Sequence, residues 1–118
     1  IEAKDLMRVL EHKFDLLTKR QKEWYGPYLN YEKALLLFHK KDYLETLPII
    51  DSAIENYSGE LDIILGNLFL LKGKVFDLQG DRSNAIEYYK KCIVLNNLSS
   101  AIKESKQYLK KPFTDYGL

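Results

Sequence analysis

One cysteine, three prolines and no long apolar run characterise this chain of 118 residues. Cys92 has no second thiol to pair with, so a disulfide-stapled secreted scaffold is excluded, and a reducing, cytoplasmic setting is the expectation. No apolar stretch approaches the ~20 residues that a membrane helix needs. No charged segment followed by a short greasy run marks a signal peptide, so membrane insertion is not expected. The chain opens Ile1-Glu2-Ala3 rather than with Met, and we expect a piece of a longer protein. Neither sign of charge dominates: 18 Lys and Arg face 17 Asp and Glu, for a formal net charge of +1. That balance supplies no electrostatic pull toward nucleic acid.

Catalytic constellations are missing too. The two histidines, His12 and His39, lie far apart, and His12 with Asp15 has helical spacing but no third ligand for a metal. Cys92 falls on the packing side of its segment, where a thiol behaves as a small apolar group. The run Gly80-Asp81-Arg82-Ser83 lacks the second glycine and the lysine of a phosphate-binding loop. With no nucleophile–base pair, we expect no enzyme, no catalytic residue, no metal and no cofactor. The basic pairs Lys90-Lys91 and Lys110-Lys111 are mixed with acidic residues and read as solvated faces. Nine tyrosines remain, a residue type that brings large contact area with a polar tip.

What the chain does have is helical periodicity. Apolar residues recur at spacings of three and four, and no convincing alternating strand with a hairpin turn occurs. The pattern predicts a first helix from Ala3 to Lys22. Its stripe of Ala3, Met7, Leu10, Phe14, Leu17, Gln21 and Trp24 is close to a heptad seam, and Gly26-Pro27 ends it. A second helix covers Tyr28 to His39. Asp42 and Glu45 have the spacing of a capping box. They place a third helix over Tyr43 to Tyr57, loosened or kinked by Pro48 and closed by Ser58-Gly59. A fourth runs from Glu60 to Leu78 and stops at Gly80. Asp81 opens a fifth that reaches Leu95, where Asn96-Asn97 break it. Ser99 or Ser100 caps a sixth to Lys110, and Pro112 stops that one. Phe113, Tyr116 and Leu118 suit the remaining tail to pack back. Six helices joined by short turns make an all-α protein with antiparallel neighbours.

The segment around Lys72 to Ile93 carries a further pattern. Phe69, Lys72, Gly73 and Phe76 fall on the block W-x2-L-G-x2-Y. Ala85 and Tyr89 fall on A-x3-F, Cys92 on a small position and Asn97 where a proline is usual. In these positions the sequence resembles the tetratricopeptide repeat family. Gly73 and Ala85 are small where two helices would cross, and Gly80 suits the left-handed turn residue between them. Aligning Asp42 with Asp81, an offset of 39 residues, gives a degenerate second copy. Ala34 then matches Gly73, Leu37 matches Phe76, Ile50 matches Tyr89 and Ala53 matches Cys92. Thr46 replaces Ala85, and Asn30 and Lys33 depart from the family's large apolar residues. The offset exceeds the usual length of about 34, which implies longer helices or a wider loop. The organisation expected is one domain over 1–118. It comprises a flanking helix at 1–25, repeats at 28–57 and 60–97, a solvating cap at 99–110 and a tail at 111–118. A plain helical bundle is the alternative that the pattern leaves open.

The resemblance implies helix pairs wound into a right-handed superhelix, whose first helices line a groove for a peptide or a partner's helix. Carried over position by position, the groove residues are Tyr28, Tyr31, Leu35 and Phe38 from the second helix. Asn67, Leu70, Lys74 and Asp77 come from the fourth. Asn67 suits a bound backbone and Lys74 a carboxylate or carbonyl. One subclass clamps chaperone C-termini with Lys, Arg and Asn. Its positions here hold Tyr28, Tyr31, Glu32, Leu35, Asn67 and Leu71, and only Asn67 is of a suitable type. The expectation is therefore an adaptor or scaffold for a protein or peptide other than a chaperone tail. The alternatives are a homodimer formed through the first helix, or a regulatory, peptide-sensing domain of a larger protein.

Overall fold

The computed structural model describes residues 3–57, 62–97 and 99–114. Among these residues every regular element is an α-helix and no strand occurs. The six helices are α1 (Ala3–Asp15), α2 (Lys19–His39), α3 (Tyr43–Glu55), α4 (Ile63–Leu78), α5 (Arg82–Ile93) and α6 (Ser100–Lys110). No described helix is long and apolar enough to cross a membrane. The chain divides into two units, residues 1–59 and 60–118.

In the first unit α2 packs against both α1 and α3. The single helix expected from Ala3 to Lys22 is instead two, and its stop at Gly26-Pro27 lies inside α2. The cause is Thr18. Its hydroxyl accepts from the Gln21 N–H at 3.2 Å, and the Gln21 side chain accepts from the Thr18 N–H at 2.9 Å. This reciprocal capping box starts a new helix at Lys19, seven residues before Gly26. The proposed 1–25 flanking helix is therefore α1 plus the opening of α2. Pro27 removes one ladder bond, a local cost of ~3 kcal/mol. It is nevertheless buried within a helix of 21 residues, whose packing absorbs that cost. Trp24, expected at the end of the α1 seam, sits on α2 and is 59% exposed.

Asp42 caps α3 by accepting from the Glu45 N–H, and the helix runs through Pro48. It ends at Glu55, before the expected Ser58-Gly59, which lies outside the described residues. Glu60 and Leu61, the expected opening of α4, lie outside them as well.

The second unit is α4, α5 and α6 around a core of Leu70, Ala85, Tyr89, Cys92, Ala101 and Ile102. Gly73 is required by the close approach of α5. A Cβ there would stand 2.7 Å from Tyr89 Cδ1 and 3.0 Å from its Cζ, too near for both to stay in place. The Asn97 amide donates to the Asp62 carboxylate at 2.8 Å, tying the α5–α6 connection to the start of α4. Ser99 occupies the cap position of α6 without a side-chain cap bond, and its hydroxyl is buried without a partner. Its backbone N–H donates instead to the Asn97 side chain at 2.9 Å.

The turns α2–α3 and α4–α5 are built alike. Lys41 and Gly80 both hold the left-handed conformation, with φ of 68° and 79°. The Asp42 N–H reaches Leu37 O at 2.9 Å and the Asp81 N–H reaches Phe76 O at 2.8 Å. The Lys41 N–H reaches Phe38 O at 2.9 Å and the Gly80 N–H reaches Asp77 O at 3.1 Å. Both helices thus end in a Schellman motif, followed at once by an aspartate cap. Burial repeats with it. Ala34, Thr46, Ile50 and Ala53 are fully buried, and so are Ala85, Tyr89 and Cys92 at the matching positions of the second hairpin.

Candidate functional site

On α2 the residues Tyr28, Tyr31 and Leu35 are half-buried, while Phe38 is only 3% exposed. The Phe38 ring lies 5.7 Å from that of His39 and 5.8 Å from that of Tyr43. The cleft between α1 and α2 is lined on the α2 side by Gly26, Leu29, Asn30 and Lys33. Lys33 pairs there with Glu11 at 2.8 Å. At 3.6 residues per turn these positions fall on the side of α2 opposite the stripe of Tyr28, Tyr31, Leu35 and Phe38. The first helix therefore does not fill the face assigned to a partner.

On α4 the matching stripe faces α6 and the chain that follows it. Asn67 is half-buried and Leu70 lies inside the core at 5% exposure. The Lys74 ammonium pairs with Glu104 at 3.6 Å. It also stands 5.7 Å from the Tyr108 ring centre and 5.0 Å from that of Phe113. Asp77 is the most enclosed, with a side chain 1% exposed. Its two oxygens accept from Arg82 Nη1 at 3.0 and 3.1 Å. One of them also accepts from the Tyr89 hydroxyl at 2.7 Å and from the Phe113 N–H at 2.9 Å. Phe38, Leu70 and the Asp77 carboxylate are thus covered in this structure. Tyr28, Tyr31, Leu35, Asn67 and Lys74 remain accessible in part. For Leu70 and Asp77 the cause is α6 and the chain after it, which cover the α4 face that the sequence assigns to a groove, whereas Phe38 is buried within its own unit beside His39 and Tyr43.

The Asp77 centre is a structural junction. Arg82 Nη2 donates to the Tyr108 and Leu109 carbonyls at 2.6 and 3.1 Å, so one guanidinium holds α4, α5 and the C-terminal end of α6 together. Burial, together with the Asp77 carboxylate, pushes the Tyr89 phenol far above the usual tyrosine range. Burial also raises Tyr108, with Glu104 adding to it. Burial pushes the Cys92 thiol up, the neighbouring Ser105 hydroxyl opposing, which leaves it a poor nucleophile. Sequence inspection does not find this junction. Its one local signal is the Asp77–Arg82 pair flanking Gly80, and its other partners arrive from 12 to 36 residues away.

Two further groups of aromatic side chains stand out. Trp24 and Tyr25 meet edge to face at 5.1 Å, Trp24 stacks on Tyr28 at 6.0 Å, and Trp24 and Tyr25 are both exposed. On the other unit, Tyr88 stacks on Phe76 at 5.7 Å. Lys72 donates to its hydroxyl at 2.9 Å, and Lys91 lies 4.4 Å from its ring centre. Among the described residues no three His, Cys, Asp or Glu side chains converge as a metal site would need. His12 and His39 are both exposed.

Compared with known proteins, the chain finds no matching family model, no matching curated protein and no matching solved structure.

Proposed function

We propose that the protein is a helical-repeat scaffold of tetratricopeptide type that binds a protein or peptide segment. The observation that carries this reading is the repetition of one hairpin. The same Schellman turn, the same aspartate cap and the same buried positions recur at an offset of 39 residues, in a chain whose sequence matches that family's spacing best around Gly73. In the family that the spacing resembles, the first helix of each hairpin meets the partner. Tyr28, Tyr31 and Leu35 on α2 and Asn67 on α4 are the proposed contacts. The tyrosines act as anchors and Asn67 as a donor and acceptor for a partner's backbone. The exposed pair Trp24 and Tyr25 extends the aromatic surface of α2 by one turn.

Affinity capture from native extract, with the wild-type chain and a Tyr31→Ala/Asn67→Ala variant as paired baits, tests the proposal. Circular dichroism first establishes that both are folded. A partner held by the wild type and lost by the variant supports these contacts. Partners retained equally by both would remove these residues from it. Self-association through α1 is the weaker reading, because the seam residues Met7, Leu10 and Phe14 on α1, and Leu17 just after it, are half-buried within their own unit. Light scattering of the purified chain tests it, and a monomer at working concentration ends it.

A further inference from the structure

We infer that residues 111–114 are a cis-acting occupant of the α4 face that Lys74 presents, and that a partner's aromatic residue gains this face by displacing Phe113. The inference rests on α4 being a partner-contacting helix and adds how access to it is regulated.

Lys111 leaves α6 with extended backbone, φ −145° and ψ 129°, and Pro112 prevents the helix from resuming. The chain then turns onto α4 through one residue. The Phe113 N–H donates to Asp77, its ring meets Tyr108 edge to face at 5.3 Å, and the Lys74 ammonium stands over it. A cleft lined by Gln107, Tyr108, Lys111, Pro112 and Thr114 flanks that ring. These are the contacts by which an extended peptide is recognised: a backbone hydrogen bond for affinity and an aromatic anchor for specificity.

The α4–α5 pair also has contacts of its own that do not pass through Phe113. If Phe113 leaves, Asp77 keeps both Arg82 bonds and the Tyr89 hydroxyl, and Lys74 keeps Glu104. Release of the segment therefore leaves these four contacts in place. Its hold comes from being tethered a few residues from its seat, where a short linker gives an effective concentration on the order of millimolar. A competing partner segment needs the same two features, an aromatic side chain and a free N–H on its own backbone, and the proline–aromatic step Pro112-Phe113 supplies the template.

The test uses a fluorescent synthetic peptide, Lys-Lys-Pro-Phe-Thr-Asp-Tyr-Gly-Leu, which copies residues 110–118. It is titrated into the full chain, wild type and Phe113→Ala, each checked by circular dichroism. Phe113→Ala is expected to bind the peptide about tenfold more tightly than the wild type, whose own segment competes. Adding Lys74→Ala to that variant is expected to weaken the binding. Equal binding by wild type and Phe113→Ala, or none by Phe113→Ala, overturns the inference. Hydrogen exchange at the Phe113 amide of the wild-type chain gives an independent reading. Excess peptide should accelerate it, and an unchanged rate overturns displacement. The capture experiment with Tyr31 and Asn67 reads different residues, so either result can fail while the other stands.

Discussion

The ring of Tyr89 occupies the space that a Cβ on residue 73 would need. The ring cannot step aside easily, because its hydroxyl is held by Asp77 at 2.7 Å and the residue is completely buried. Gly73→Ala therefore sets two effects against each other. Alanine is the better helix former by ~1 kcal/mol, but overpacking a fixed core costs ~1–3 kcal/mol. The clash should win. We expect a lower urea midpoint for Gly73→Ala, with α4 and α5 losing protection together. A midpoint equal to or above wild type would mean that the Tyr89 ring shifts freely.

The left-handed positions give a prediction of opposite sign in the two hairpins. Lys41 adopts φ 68° with a side chain that prefers negative φ, whereas Gly80 meets the same demand at φ 79° without that penalty. A Cβ at Gly80 would touch nothing within 4 Å, so the backbone alone decides there. Lys41→Gly should stabilise the chain by ~1 kcal/mol, and Gly80→Ala should destabilise it by ~1 kcal/mol. Paired urea titrations read both. A destabilising Lys41→Gly would show that the lysine side chain contributes more than its backbone strain costs.

These turns were also the most legible feature of the sequence. Asp42 and Asp81 announce their caps through short side chains at fixed distances from the next helix, so a local reading suffices. The first forty residues were less legible because two local signals compete. Thr18 with Gln21 starts a helix, and Gly26-Pro27 argues for ending one. The Thr18 cap prevails, and Pro27 is buried inside α2. The stripe assigned to a partner is legible as positions but not as exposure. Nothing near Asp77 in sequence announces that Phe113, 36 residues on, will bond to it.

Arg82 joins three segments through two forks of one side chain, and its loss should be felt in all of them. Arg82→Ala leaves Asp77 buried without its counter-charge and uncovers the Tyr108 and Leu109 carbonyls. Breaking a buried pair by removing one partner costs ~3–5 kcal/mol. The Arg82 side chain is 30% exposed, which places the expectation at the lower end. Arg82→Lys should recover only part, since an ammonium cannot span the carboxylate and both carbonyls at once. Thermal unfolding orders the three chains: wild type highest, then Arg82→Lys, then Arg82→Ala. A Lys variant as stable as wild type would reduce the junction to a simple charge pair.

The same junction predicts how stability falls in alkali. An unperturbed tyrosine loses its proton near 10.0 and a cysteine near 9.0, whereas burial raises both Tyr89 and Cys92 in the folded chain. Below those values folded and unfolded chains hold the same protons, so the contribution to stability is fully present. Above them the unfolded chain releases its protons first. It binds fewer than the folded chain, and the free energy of unfolding drops as pH rises. One proton corresponds to about 1.4 kcal/mol per pH unit. The fall should begin above about pH 9 with Cys92 and steepen above about pH 10 as Tyr89 joins. Tyr89→Phe starts from lower stability, having left Asp77 one donor short, but it should lose less for each further unit of pH. Urea midpoints of both chains from about pH 8 to 11 separate the two effects, because the missing hydrogen bond offsets the curve and the missing proton flattens it. Parallel curves would mean that the Tyr89 phenol ionises as readily folded as unfolded, and that Asp77 does not hold its proton in place.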